Sequence, residues 1–153
     1  MALRLMNDIT RGIEGIKTGV HVCRGNWSRK EDALLKGDYE PIVPYLLAMD
    51  TDQLVLEYAT PRAGDLDSFA NRKKLSEIGL GVVNPRTDEM EAPEFVVGMV
   101  EKALAYFSPS QIYLNPDCGF GTFAERPMNP PEVAFQKLQI ISAAARQLRK
   151  TYS

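Results

Sequence analysis

The sequence contains very few side chains of the kinds that bind metals or transfer protons. It has one histidine and two cysteines among 153 residues. No Cys-x-x-Cys pair is present, which argues against a thiol redox protein. The N-terminus lacks the apolar segment of a secretory signal, so a structural disulfide is not expected. The two cysteines are therefore predicted to be free thiols or metal ligands in a cytoplasmic protein.

Excess charge and long apolar runs are also absent. The formal net charge is −2 and the pI is about 5.5, which gives no basic surface for nucleic acid or an anionic membrane. No apolar run approaches the roughly 18 residues that cross a bilayer. Because 44% of the residues are hydrophobic and 25% are charged, the sequence is typical of a globular protein. Residues 1–153 are predicted to form a single domain.

Hydrophobic periodicity predicts short strands that alternate with helices. The predicted strands cover residues 19–23, 53–58, 78–83 and 111–114. Helices are predicted over residues 3–14, from residue 40, from residue 92 and over 131–150, with a short helix or irregular crossover over 64–75. The predicted buried faces of the last two helices include Phe95, Phe135 and Leu138. Gly79 and Gly81 in the third strand suggest close approach of other backbone or of a ligand.

This alternation of strands and helices is typical of βαβ units, which build a parallel sheet. Two architectures are compatible with it, an open doubly wound sheet and half of a TIM (β/α)8 barrel. The half-barrel is favoured because polar and metal-type residues fall at the carboxyl ends of the predicted strands. The first helix also has no strand before it, as if it closed a preceding βα unit. The predicted fold class is α/β, with four parallel βα units.

Four potential zinc ligands lie at these strand ends. His21 and Cys23 are two residues apart at the end of the first buried strand, so their side chains face the same way. Glu57 ends the second strand, and Cys118 follows the fourth strand, which is also predicted to be buried. Thiolate, imidazole and carboxylate are donors that zinc accepts. Taken alone, each has an ordinary explanation: core packing for His21 and Cys23, an inert loop thiol for Cys118, and a helix cap or salt bridge for Glu57.

Three motifs together resemble one enzyme family. They are His-Val-Cys-Arg-Gly-Asn at residues 21–26, Leu-Glu-Tyr at 56–58 and Asn-Pro-Asp-Cys-Gly-Phe at 115–120. Their order and spacing resemble the C-terminal catalytic barrel of cobalamin-independent methionine synthases and their shorter relatives. The resemblance implies zinc held by His21, Cys23, Glu57 and Cys118. It also implies methyl transfer from methyltetrahydrofolate to the thiol of homocysteine, or alkyl transfer to another thiol such as coenzyme M.

The chain departs from the family pattern in the turn after the third strand. Methionine synthases usually carry a histidine there as a proton donor, whereas this turn reads Asn-Pro-Arg-Thr-Asp at residues 84–88. Arg86 stays protonated near neutral pH. It is predicted to hold an anionic group, and Asp88 is predicted to handle the proton, with a solvated loop pair as the alternative.

Three further residues are predicted to lie around the substrate. Asn26 and Trp27 follow the first ligands and are predicted to line the substrate cavity, with a structural loop role as the alternative. Asp117 precedes Cys118 and is predicted to contact substrate or to order the ligands through a hydrogen bond.

The number of predicted βα units is about half that of a complete barrel. The chain is therefore expected to be a fragment, to self-associate, or to pair with a missing N-terminal half-barrel. Three functions stay open: a homocysteine methyltransferase, an alkyltransferase for another thiol, and a non-catalytic zinc-binding domain.

Overall fold

A computed structural model describes residues 1–70, 77–121 and 123–152. Four strands form one sheet in chain order: β1 (Gly19–Val22), β2 (Gln53–Leu56), β3 (Glu77–Val83) and β4 (Ile112–Pro116). All three neighbouring pairs are parallel. The predicted α/β class with four parallel βα units is therefore confirmed.

The α-helices are α1 (Ala2–Thr10), α2 (Val43–Leu46), α3 (Pro93–Ala103) and α4 (Pro131–Tyr152). Short 3-10 helices cover Glu31–Ala33, Pro61–Ala63, Leu66–Phe69 and Pro109–Gln111. The predicted crossover at 64–75 thus contains a 3-10 turn, and its residues 71–75 lie outside the described residues.

The helix boundaries follow local sequence signals. Proline occupies the first position of α3 and α4, where its missing N–H costs nothing. The helix predicted over 3–14 ends at Thr10, because Arg11 is extended and Gly12 has a positive φ of 78°. The helix predicted from residue 40 shrinks to the single turn of α2. In the described part of the chain, no helix is both long and apolar enough to cross a membrane.

The core lies around β3, whose residues from Ile78 to Val83 are all buried. The outer strands are different. Residues of β1 and β4 are exposed or half-buried, so the prediction that both strands are buried is wrong. The physical reason is that each has a single strand neighbour among the described residues, and the opposite edge of the sheet is open.

Several apolar side chains predicted to be buried are exposed. Phe95 on α3 and both Phe135 and Leu138 on α4 face solvent, so their assignment to the core is wrong. Val96, Val100 and Ala103, which belong to the same predicted face of α3, are buried as predicted. On α4 the predicted burial of Ile141, Ala144 and Leu148 is confirmed. The fully buried Lys137, which was not predicted, pairs with Glu91.

Candidate metal centre

The first potential ligands lie at the carboxyl end of β1. His21 is the third residue of this strand, and Cys23 directly follows its end. The Nδ1 atom of His21 lies 3.0 Å from the carbonyl oxygen of Val55 on β2. Because a carbonyl only accepts hydrogen bonds, this contact assigns the ring proton to Nδ1. The lone pair of Nε2 is then available to a metal, an arrangement common for histidine ligands.

Cys118 reaches the same place from β4. Its Sγ atom lies 3.9 Å from the Sγ atom of Cys23. Three adjacent strand spacings of about 4.8 Å would separate β1 from β4 by roughly 14 Å in a flat sheet. The contact between the sulfurs therefore indicates that the sheet curls, as a segment of a barrel does.

The chemistry and spacing of this group fit a zinc ion. Donor atoms of His21, Cys23 and Cys118 all lie within 4.8 Å of one another. The sulfurs are too far apart for a disulfide, which needs about 2.05 Å, and both thiols are free. Two sulfurs bound tetrahedrally to zinc at about 2.3 Å would lie roughly 3.8 Å apart. The observed spacing is close to that value.

The electrostatics of Cys118 also favour a cation. Burial, followed by the negative charge of Cys23 and a smaller effect of Glu57, raises the pKa of Cys118 to about 11. Two neighbouring thiolates repel each other, and this repulsion disfavours the second ionisation. A divalent cation between the sulfurs would compensate both charges.

Glu57 is not part of the three-residue group. It follows β2 and is fully buried, and its Oε1 accepts a hydrogen bond of 2.7 Å from the backbone N–H of Arg24. Its Oε2 lies 3.0 Å from Nη2 of Arg62 and 3.7 Å from Nε of Arg24. Glu57 therefore forms the salt bridges that the sequence analysis gave as the alternative to zinc binding. Its role as the fourth zinc ligand stays a prediction.

Arg86 and Asp88 tie the turn after β3 to the loop after β1. The buried Arg86 donates from Nε to the carbonyl of Ser28 at 2.7 Å and from Nη2 to that of Arg29 at 3.2 Å. Asp88 is exposed and pairs with both terminal nitrogens of Arg29. Hydrogen bonding to Arg29 lowers the pKa of Asp88. The predicted catalytic roles of Arg86 and Asp88 stay predictions.

The three predicted substrate residues differ in accessibility. Asn26 is buried, and its Nδ2 atom has no hydrogen-bond partner among the described residues. Trp27 is half exposed beside it. Asp117 is completely buried, and its Oδ1 accepts hydrogen bonds of 2.9 Å from the N–H groups of Tyr58 and Ala59. Substrate contact by these residues stays a prediction.

Two residues for which the sequence predicted no role, Arg24 and Tyr39, complete the surroundings of Glu57. The guanidinium of Arg24 stacks 4.3 Å from the ring centroid of Tyr39. The hydroxyl of Tyr39 donates to the carbonyl of Val22 and accepts from the N–H of Glu57, both at 3.0 Å. Tyr39 therefore links the ends of β1 and β2. The available sequence signal was an arginine directly after Cys23, and no periodicity marks Tyr39.

Comparison with known proteins shows that the chain is similar in sequence to one group of enzymes. The model of the family described as cobalamin-independent synthase, catalytic domain, matches residues 19–147. The chain is 32% identical over 152 residues to a methionine synthase of Pyrococcus abyssi, covering 98% of this chain and 38% of that protein. It is 30% identical to a methionine synthase of Pyrococcus furiosus, covering 93% and 37%. The chain thus spans less than two fifths of the length of these relatives.

The fold has a solved counterpart. A B12-independent methionine synthase from Shewanella sp. W3-18-1, solved in complex with selenomethionine, superimposes with a TM-score of 0.80 at 22% identity. The match covers 97% of this chain and 43% of the other. This likeness shows that the curled parallel sheet is part of a TIM-barrel fold, which confirms the half-barrel prediction.

Proposed function

The chain belongs to the cobalamin-independent methionine synthase family, and on that premise we propose that it carries the thiol-activating zinc centre of a methyltransferase. The proposed acceptor is the thiol of homocysteine, the proposed donor is a methylated folate, and the proposed setting is the cytoplasm. The observation that carries the proposal is the convergence of His21, Cys23 and Cys118, with sulfurs 3.9 Å apart.

In this proposal His21, Cys23 and Cys118 hold zinc, and Glu57 supplies the fourth ligand. A zinc ion bound there would lower the pKa of a substrate thiol and so favour the nucleophilic thiolate. The carbonyl of Val55 keeps the His21 ring oriented through Nδ1. Arg24 and Arg62 compensate the charge of Glu57 and fix the position of its carboxylate.

The residues after β3 are proposed to serve substrate. Arg86 would hold an anionic group of the substrate, and Asp88 would handle the thiol proton. Because Arg29 lowers its pKa, Asp88 is ionised at neutral pH and can only accept that proton. Asn26, Trp27 and Asp117 are proposed to shape the cavity around the acceptor.

One observation favours a second candidate, an alkyltransferase that uses a different donor or another thiol such as coenzyme M. The sequence has one histidine, and His21 already belongs to the donor group. This chain then supplies no second imidazole to protonate the leaving group of a folate donor. A donor whose leaving group needs no proton would suit this chain better.

Thiol binding by the metal-loaded chain tests both candidates. We expect about one cobalt or zinc ion per chain, and homocysteine should intensify the sulfur-to-cobalt charge-transfer absorption. Methionine is the matched control, because it has the same amino-acid part but no thiol. A stronger response to coenzyme M than to homocysteine would favour the second candidate. An identical response to methionine and homocysteine would contradict thiol activation, and metal binding without any thiol response would favour a non-catalytic zinc domain.

We also propose that further βα units close the barrel against this chain. The outer edges of β1 and β4 have no strand partner among the described residues, and Leu5 and Ile9 expose apolar surface on α1. Open edges and apolar patches of this kind favour association. The relatives are about 2.5 times as long, and we propose that their additional length corresponds to the units that would cover these surfaces.

Complementation measures this association directly. The chain should co-elute with a polypeptide holding the part of the Pyrococcus abyssi relative that it does not cover, and methionine should form only when both are present. The L5E/I9E double variant should weaken the complex at least tenfold, because two charges replace the apolar face of α1. R4Q, on the exposed polar side of α1, is the matched control. Equal co-elution of L5E/I9E and R4Q would rule out this face as the interface.

A further inference from the structure

The carboxylate of Asp117 connects the ends of two strands that are not neighbours. Its Oδ1 atom accepts hydrogen bonds of 2.9 Å from the backbone N–H groups of both Tyr58 and Ala59. Tyr58 directly follows Glu57, and Asp117 directly precedes Cys118. In the sheet, β3 lies between β2 and β4. A single oxygen atom therefore joins the two segments that carry Glu57 and Cys118, across an intervening strand.

The contact depends on a glycine in β3. A Cβ atom added to Gly81 would lie 2.1 Å from Oδ1 of Asp117 and 2.8 Å from the carbonyl oxygen of Leu56. Both distances are far below van der Waals contact. Gly81 has no positive φ, so it is needed for the close approach of Asp117 and not for an unusual backbone conformation. The register between β3 and β4 also shifts between Gly81 and Val83.

Asp117 is held from a third side as well. Its backbone N–H donates to the carbonyl of Val83 at 2.9 Å. The side chain is completely buried, and its Oδ2 atom has no hydrogen-bond partner in the described part of the chain. Burying a carboxylate with one oxygen unsatisfied is unfavourable for folding. Its placement therefore needs an explanation other than stability.

From this geometry we propose that Asp117 is a positioning residue of the metal centre, which fixes the Cys118 turn relative to the Glu57 segment, and that Gly81 provides the space for it. The inference rests on the proposed zinc centre. We call the two hydrogen bonds from Tyr58 and Ala59 to Asp117 the clamp. In the proposal the clamp keeps the Cys118 sulfur 3.9 Å from that of Cys23 and fixes the Glu57 segment relative to it. Loss of the clamp lets the Cys118 turn move independently of β2, so the donors no longer converge as one preorganised set.

Metal affinity and the cobalt spectrum test the clamp without any assay of turnover. G81A and D117A should each lower zinc affinity about 10–100-fold, as outer groups of metal sites commonly do. Zinc competition with a chromophoric chelator measures the affinity. Both variants should also shift and weaken the sulfur-to-cobalt absorption. D117N keeps an oxygen that can accept from Tyr58 and Ala59, so it should stay within about threefold of the parent chain.

Gly79 provides the matched control, because it lies on the same strand and the same face as Gly81. A Cβ atom there would lie 2.7 Å from Oδ1 of Asn115 and 3.0 Å from a methyl carbon of Val55. G79A therefore strains β3 without touching Asp117. It should lower stability while leaving zinc affinity and the cobalt spectrum close to those of the parent chain.

The outcomes separate the two proposals. If G81A does not fold, the comparison of D117A with D117N decides the question. Parent-like affinity and spectrum in D117A, or equal losses in D117A, D117N and G79A, would overturn the positioning role. Failure of the parent chain to bind zinc would instead overturn the proposed function.

Discussion

Replacement of Cys118 by serine is expected to reduce bound zinc from about one ion per chain to almost none. The serine hydroxyl is not ionised near neutral pH and is a poor ligand for zinc. His21 and Cys23 would then be the two donors left of the three-residue group. Glu57 cannot replace the lost sulfur without leaving Arg62, which lies 3.0 Å from its carboxylate. Zinc per chain, measured by elemental analysis after gel filtration, checks this expectation.

Asn115, on the strand β4 that leads to Cys118, offers a matched control. It is half-buried like Cys118 but lies outside the donor group, and its side chain bonds the carbonyl of Pro116. N115S should therefore retain zinc at the parent stoichiometry. Full zinc retention in C118S, with an unchanged cobalt spectrum, would show that Cys118 is not a ligand.

The features that the sequence predicted correctly depend on short stretches of chain. Apolar runs located the four strands, and the order of strands and helices determined the parallel sheet. Because the carboxyl ends of parallel strands meet at one edge of the sheet, residues at the ends of β1 and β4 could be placed together before any coordinates. His21, Cys23 and Cys118 meet that expectation.

The contacts of Glu57 depend on loops, which carry no periodic signal. Arg24 and Arg62 reach its carboxylate from segments without regular hydrophobic spacing. In the same way, Arg29 approaches Asp88 from 59 residues away in sequence. A motif can indicate that a carboxylate is functional, but it cannot show which arginine compensates the negative charge of that carboxylate.

Burial was predicted wrongly for side chains that no other described element of the chain covers. Phe135 and Leu138 fit the apolar periodicity of α4, yet they are exposed. The strand β1 has an apolar sequence and an exposed edge. Periodicity reports which residues are apolar, and burial also requires a neighbouring element to cover them. In this chain the covering elements are proposed to belong to the remaining barrel units.

Substitution of Glu91 by alanine is expected to destabilise the chain by about 3–5 kcal/mol, because it leaves a buried ammonium without its counter-charge. Lys137 is completely buried on α4, and its Nζ atom lies 2.9 and 3.1 Å from the carboxylate oxygens of Glu91. The same Nζ donates to the carbonyl of Glu89. Urea denaturation followed by circular dichroism measures the free energy of unfolding. The matched control is E89A, since the exposed Glu89 contributes only its backbone to this contact, and its effect should stay within about 0.5 kcal/mol.

The double variant E91L/K137M distinguishes charge compensation from packing. If an uncompensated ammonium causes the loss, replacing both partners by apolar residues should restore most of the stability. Glu91 also accepts a 2.7 Å hydrogen bond from the N–H of Asn84 at the end of β3, so it fixes the turn that carries Arg86 and Asp88. The double variant should therefore regain stability while the amide hydrogens of residue 84 and residues 86–88 exchange faster than in the parent chain. A loss below about 1 kcal/mol in E91A, or no recovery in the double variant, would contradict the electrostatic explanation.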